Sequence, residues 1–385
     1  MKIGDRIEVE IGGIAHGGHC VARYEGQVIF VRHAIPGEKV IVEITEMNSK
    51  FARGDAMEIL QPSKDRVTPQ CQYARPGGCG GCDFQHISLE RQRKLKADVV
   101  REQFTRVAKM DVELSVEEVS PTSHWRTRMD FTVSENRKLA LYSSRSHRLV
   151  EVDSCQIADE SIPISEINQR KLPQGAKVHV AVGSNGKSVV EIEGRQSHEL
   201  VVQEVGSQNF SLSPTTFWQS HRRAPEVLSS VVQELARAKS GDHVFDLYGG
   251  VGLFTGALID VVGAGGRITL IESDELATTD ARRKFAINEN VEIISEKVER
   301  VLDRFTRADI VIADPPRAGL GARVCAMIDD LNPRAIVYVS CDPSSLARDA
   351  RLLVDAGYEM DLIRAFDLFP MTHHIECVAR FIKSA

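Results

Sequence analysis

His243–Thr255 reads HVFDLYGGVGLFT: an apolar run, a glycine-rich turn, then the start of a helical stretch. Gly249, Gly250 and Gly252 let the backbone approach a ligand closely where a buried strand passes into a helix. The spacing is not G-x-G-x-x-G, which weakens a dinucleotide reading. The next apolar run, GRITLIESD, ends in Glu272, twenty-six residues after Asp246. An acid there is placed to bind ribose hydroxyls. Strand, glycine turn, helix, strand and acid suit S-adenosylmethionine as well as a nicotinamide dinucleotide. A tight structural turn is the simpler reading of such a loop alone. Beyond it, ADIVIADPP, AIVYVSCDP and ECVARFI repeat buried β-branched runs between helical stretches. From about residue 206 onward the pattern predicts a doubly wound α/β domain.

Three further residues fall at strand ends of that domain. Asp314 follows DIVI in ADPPRAGL, at the carboxyl edge where open α/β sheets bind ligands, with two prolines fixing the backbone. Cys341 follows AIVYV in SCDPSSLARD. Alone it reads as a small buried hydrophobe, yet DPSS is suited to cap a helix, and that helix N-terminus or Arg348 offers thiolate stabilisation. Glu376 lies between Ile375 and Cys377 in DLFPMTHHIECV, where partial desolvation raises a carboxylate toward general-base range. His373 and His374 lack metal-ligand spacing and read as packing or surface residues.

Upstream, residues 1 to about 60 alternate apolar and polar in short runs between glycines, predicting five or so strands of a small OB-type barrel. Arg23, Arg32, His33, Lys39, Lys50 and Arg53 give it positive charge, equally readable as a solvated face. After a polar linker, CQYARPGGCGGC places Cys71, Cys79 and Cys82 within twelve residues, and Cys155 follows in VDSCQ. Four such thiols suit tetrahedral zinc or an iron–sulfur cluster, and spacing alone leaves both open. Residues 87–109 show helical periodicity with dense Arg and Lys, and 112–205 read as a mostly antiparallel β-rich region.

The chain has 385 residues, a net charge of −6 and eight cysteines. The length allows two or three domains. The acidic total argues weakly against nucleic acid, since a local basic face can sit within it. The absence of a long apolar run or an apolar leader at MKIGDRIEVE predicts a cytoplasmic chain with no membrane contact.

C-x-x-C preceded by a third cysteine, DPPR, SCDPSSLARD and FPMTHHIE occur together and in order, and the whole chain resembles the RNA 5-methyluridine methyltransferases. Members with an N-terminal TRAM barrel and a [4Fe–4S] cluster act on 23S ribosomal RNA. The resemblance implies an α/β fold: a Rossmann-like class I methyltransferase domain over 206–385, a TRAM domain over 1–62, and a central β-rich iron–sulfur domain over 63–205. The helix 87–109 is expected to pack on the catalytic domain. Cys341 looks like the family's nucleophile, Glu376 like its proton-abstracting base, and Asp314 matches a position between cofactor and uracil. Gln219, Asp246, Tyr248, Gly250, Glu272 and Asp314 fall on or beside the S-adenosylmethionine positions. Cys71, Cys79, Cys82 and Cys155 match the cluster ligands. A monomer acting on 23S rRNA is expected. Transfer RNA is the sibling alternative, and an RNA-binding protein that retains the fold is a further one.

Overall fold

Short alternating runs at the N-terminus fold as five strands, Arg6–Glu10, Cys20–Tyr24, Gln27–Arg32, Lys39–Met47 and Phe51–Gln61. The computed structural model describes residues 1–195 and 199–383. In the N-terminal sheet the first strand pairs with the fourth, the fourth with the fifth, the fifth with the third and the third with the second. Gly12 N–Val21 O and Val21 N–Gly13 O hydrogen bonds, 2.8 and 2.9 Å, tie the remaining edges together. The result is a small barrel whose inward residues, Ile29, Val31, Val40, Val42 and Ala52, are wholly buried.

The central region holds a five-stranded antiparallel sheet in the order Ser188–Ile192, Lys177–Val182, Arg128–Val133, Leu139–Tyr142, Leu149–Glu151. A separate hairpin, Val201–Val205 with Gln208–Leu212, spans the 205/206 division drawn from sequence. Its Phe210 and Leu212 pack among Leu228, Val232, Leu253 and Leu258, so the hairpin is joined to the C-terminal core.

That core surrounds an eight-stranded sheet. Val291–Ser295, Arg267–Glu272, His243–Leu247, Ile310–Ala313 and Ala335–Ser340 run parallel, and Glu376–Lys383, Tyr358–Asp367 and Val116–Glu118 complete it. Glu376–Lys383 is antiparallel to both its neighbours. Helices Ala224–Ala236 and Leu253–Val262 cover one face; Gly321–Asp330 and Pro343–Asp355 cover the other. This is the doubly wound, Rossmann-like arrangement expected from the sequence.

Helix Leu89–Gln103 also belongs to this body. Val100 and Phe104 share a core with Ile336, Leu346 and Ala350. The strand Val116–Glu118 that follows joins the sheet edge beside Tyr358–Asp367, a pairing that three residues of sequence do not reveal. Lys96 on this helix is buried against Asp367, Nζ to Oδ1 2.6 Å, and donates to Phe369 O at 3.0 Å. Burial lowers the lysine's pKa, and the Asp367 carboxylate opposes that. Lys96→Met leaves Asp367 buried without its cation and is expected to cost about 3–5 kcal/mol. Urea unfolding checks this, and a change below about 1 kcal/mol contradicts it.

Candidate active site

The glycine turn is built for its place. Gly252 has φ +87°, and a Cβ there would come within 2.4 Å of the Phe285 ring. No other residue fits without moving that ring. Asp246, almost fully buried, takes the Thr255 amide at 2.9 Å and the Thr255 hydroxyl at 2.7 Å on one oxygen, while its other oxygen is unpartnered. The acid thus fixes the first turn of the next helix and keeps one acceptor free. Glu272 accepts from Gly250 N at 3.1 Å and from Ser273 N and Asp274 N at 2.6 and 2.7 Å. Tyr248 sits in the turn at φ 59°, packed against the core. Trp218 packs on Phe210 with ring centroids 5.2 Å apart, and its neighbour Gln219 is buried.

The chain order reverses between His243–Leu247 and Ile310–Ala313, the position where open α/β sheets bind ligands. Asp314 leaves the second of these strands there, its amide donating to Leu247 O at 3.2 Å. The neighbouring strand delivers Cys341. Ser340 pairs with Cys377 across an antiparallel ladder, so one further step sets Cys341 opposite Glu376. Residues 27, 35 and 62 positions apart in the chain thereby reach one edge of the sheet.

Their charges act on one another. Burial, then the Asp246 and Glu272 carboxylates, pushes Asp314 up to about 7. Burial and the Asp314 charge hold Glu376 well above the usual carboxylate range. Burial, then Glu376 and Asp314, pushes the Cys341 thiol up to about 11, and the Arg317 guanidinium opposes them. Arg348, the cation expected to activate this thiol, is committed elsewhere. It pairs with Asp349 at 2.8 Å and donates to Ala318 O at 2.7 Å. Arg317, in DPPR itself, supplies the positive charge instead. Sequence showed the residue but not which strand end it would face.

Asp342 caps the helix after Cys341, accepting from Ser345 N at 2.8 Å. Its other oxygen meets His16 Nε2 of the barrel at 3.0 Å. Against the effect of burial, His16 and Ser345 hold this carboxyl down to about 2. The barrel loop packs tightly here: a Cβ on Gly18, at φ +78°, would come within 2.5 Å of His373 Cβ. His373 in turn pairs with Asp83 at 2.5 Å, and Asp83 also takes Arg32 at 3.0 Å. His373, read from sequence as a packing or surface residue, therefore joins three parts of the chain. His16 and Asp83 carry no motif, so only the fold could find them.

Between these parts opens a cleft of about 540 Å³, lined by Cys341, Arg317, His374, Arg32, Arg126 and Arg145 among others. Of the six barrel cations noted in the sequence, Arg32 lines the cleft. Lys39 pairs with Glu8, and burial lowers His33 to about 3. The four cysteines 71, 79, 82 and 155 all line a second cavity of about 260 Å³. Among the described residues, no three His, Cys, Asp or Glu side chains are grouped to hold a metal ion.

Residues 1–57 match the TRAM domain family, and residues 267–384 match the tRNA (Uracil-5-)-methyltransferase family. A Streptomyces coelicolor protein described as an uncharacterized RNA methyltransferase is 39% identical, covering 98% of this chain and 93% of its own. The chain belongs to the RNA methyltransferase family. A Corynebacterium glutamicum relative, also described as an uncharacterized RNA methyltransferase, is 31% identical over 99% of this methyltransferase and 97% of its own length. The crystal structure of Pyrococcus abyssi tRNA (uracil-54, C5)-methyltransferase in complex with S-adenosyl-L-homocysteine has the same fold: TM-score 0.76, 23% identity, 98% of this chain and 100% of that one. No helix of the methyltransferase is long and apolar enough to cross a membrane, among the described residues.

Proposed function

We propose that this RNA methyltransferase transfers a methyl group from S-adenosylmethionine to C5 of a uridine in RNA, through a covalent Cys341–C6 adduct resolved by Glu376. The convergence of Cys341, Glu376 and Asp314 at one edge of the sheet, beside its reversal point, carries this reading. The cofactor side fits. Asp246, Glu272 and Asp314 form a group of carboxylates suited to a cationic ligand, and Asp246 keeps a buried acceptor unpartnered. Glu272 would take the ribose hydroxyls, with Gly250 bonded to it and Tyr248 in the same turn; Gln219 is assigned to the cofactor by the resemblance. S-adenosylmethionine supplies an electrophilic methyl group on a positive sulfonium.

Uracil C5 is too poor a nucleophile to take that methyl unaided. The Cys341 thiolate adds to C6, forming an S–C bond and pushing electrons through to O4, so that C5 becomes enolate-like. C5 then takes the methyl group, the sulfonium keeping the bonding pair as a neutral thioether. Glu376 removes the C5 proton, and the electrons of that C–H bond re-form the ring double bond as the thiolate leaves. One hard step is split into easier ones. Arg317 stabilises the thiolate, and Asp314 holds the junction between cofactor and base. An unpaired or flipped uridine is required, since C6 is inaccessible within a stack.

Both the thiol and Glu376 are raised above their ordinary values, and both act deprotonated. Activity limited by thiolate formation therefore rises with pH. We expect kcat/KM to climb about tenfold per unit between about pH 7 and 9. Arg317→Ala removes the charge that lowers the thiol's pKa, so its profile should shift to higher pH. A flat profile, or an unshifted one in the variant, contradicts this assignment.

We place the target in 23S rRNA, on the resemblance to TRAM-bearing, cluster-bearing members. Transfer RNA is the second reading, favoured by the family matched over 267–384 and by the Pyrococcus substrate. Mass-spectrometric mapping of 5-methyluridine in 23S rRNA and tRNA, from cells with and without the gene, decides between them. Loss from 23S rRNA supports the first reading and loss from tRNA the second. Loss from neither overturns both.

For the second cavity we propose a [4Fe–4S] cluster held by Cys71, Cys79, Cys82 and Cys155. Four sulfur donors line one cavity, and the resemblance to cluster-bearing members favours iron over zinc. Bound there, it would tie the linker to the central sheet or position the RNA. Purified protein should contain iron and acid-labile sulfide and lose both in Cys79→Ser. Stoichiometric zinc overturns the assignment.

A further inference from the structure

The outer face of the barrel carries groups that methyl transfer does not use. Alternation along Gln27–Arg32 and Phe51–Gln61 sends Ile29, Val31 and Ala52 into the core and leaves Phe30, Phe51 and Arg53 on the outside. The strand register sets Phe30 opposite Arg53. The two phenyl rings meet edge to face at 5.3 Å, and the Arg53 guanidinium lies 5.3 and 4.9 Å from their centroids. Both rings are half-buried, with surface left open. Two aromatics on the outside of a barrel add nothing to its core, yet they expose apolar faces at a cost.

The polar groups around them are incompletely served. Arg53 Nε and His19 Nε2 are buried without a hydrogen-bond partner among the described residues, although the Glu46 carboxylate stands 3.4 Å from Arg53 Nε. The surface is also continuous with the cleft. The His19 ring lies 6.3 Å from Phe30 and lines the cleft that holds Cys341. Arg145, on the same cleft, is close enough to act electrostatically on both His19 and Arg53. Aromatic faces beside cationic side chains are what an unpaired nucleic-acid strand requires: a stacking surface for each base and charge for its phosphates.

We propose that Phe30, Phe51 and Arg53 form a stacking platform for unpaired nucleobases of the RNA strand that leads away from the target uridine. The proposal rests on the reading of this protein as an RNA uridine methyltransferase and adds a selection rule to it. Stacking tolerates any base but needs one whose face is free, so the platform favours loops and single strands over duplex.

The test uses the full chain and a fluorescent oligouridine of about ten nucleotides, a length within the reach of one such barrel. Phe30→Ala/Phe51→Ala should weaken binding by roughly 5- to 150-fold for each stacked base lost. Phe30→Trp/Phe51→Trp should retain it, which a structural role for phenylalanine packing would not allow. In methylation assays on an in vitro transcribed 23S rRNA fragment, the alanine variant should raise KM and leave kcat unchanged. Annealing the oligouridine to its complement should abolish the difference between wild type and variant. Equal affinity of wild type and alanine variant for the single strand overturns the platform, as does an equal deficit on duplex. A wild-type enzyme that makes no 5-methyluridine in any RNA overturns the functional reading instead, while the binding measurement still decides the platform.

Discussion

Cys341→Ala is expected to reduce 5-methyluridine formation by at least about 10³-fold, since it removes the covalent step entirely rather than weakening a contact. It should also abolish any enzyme–RNA band that survives denaturation. The competing view is that Cys341 is a small residue ending a strand. On that view alanine is a mild change at a half-buried position, and turnover survives. The two views agree on stability and differ on rate, so a thermal melt beside the assay separates them. A melting temperature near wild type with turnover lost supports the nucleophile. Full turnover by the variant excludes it.

Glu376→Gln should give a different phenotype. Glutamine keeps the shape of the side chain but cannot accept the C5 proton, so elimination slows by about 10²–10⁴-fold. Adduct formation is spared. The Glu376 charge raises the Cys341 pKa, so its removal lowers that pKa and makes thiolate easier to form. The methylated adduct should therefore accumulate and appear as an RNA-linked band on a denaturing gel. Stability should not suffer, because a carboxylate only 3% exposed is replaced by a neutral amide. Loss of both product and adduct would assign Glu376 to the first step instead.

The candidate site was legible in the sequence because its residues sit where strands end. HVFDLYGGVGLFT, ADPP and SCDP each mark a buried run meeting a turn, and a parallel sheet gathers such points at one edge. The barrel was legible from its alternation, as was the helix Leu89–Gln103 from its apolar spacing. What escaped was whatever depends on distant pairing. Strand Val116–Glu118 is too short to show a period. Lys96 reads as one more surface lysine until Asp367 is brought to it from 271 positions away. Arg348 looked like the activating cation because it is near Cys341 in sequence, but Asp349 takes its charge and Arg317 supplies the field. His16 and Asp83 gain meaning only when the barrel is seated on the catalytic body.

Covalent catalysis through Cys341 can be caught with RNA carrying 5-fluorouridine at the target. Fluorine at C5 cannot leave as a proton, so Glu376 has nothing to abstract and the adduct is trapped after methyl transfer. Peptide mass spectrometry of the trapped complex should find a methylated fluorouridine nucleotide attached to the peptide containing Cys341. A trapped nucleotide on another cysteine, or no adduct from an enzyme that fully methylates ordinary uridine in the same RNA, would exclude Cys341 as the nucleophile.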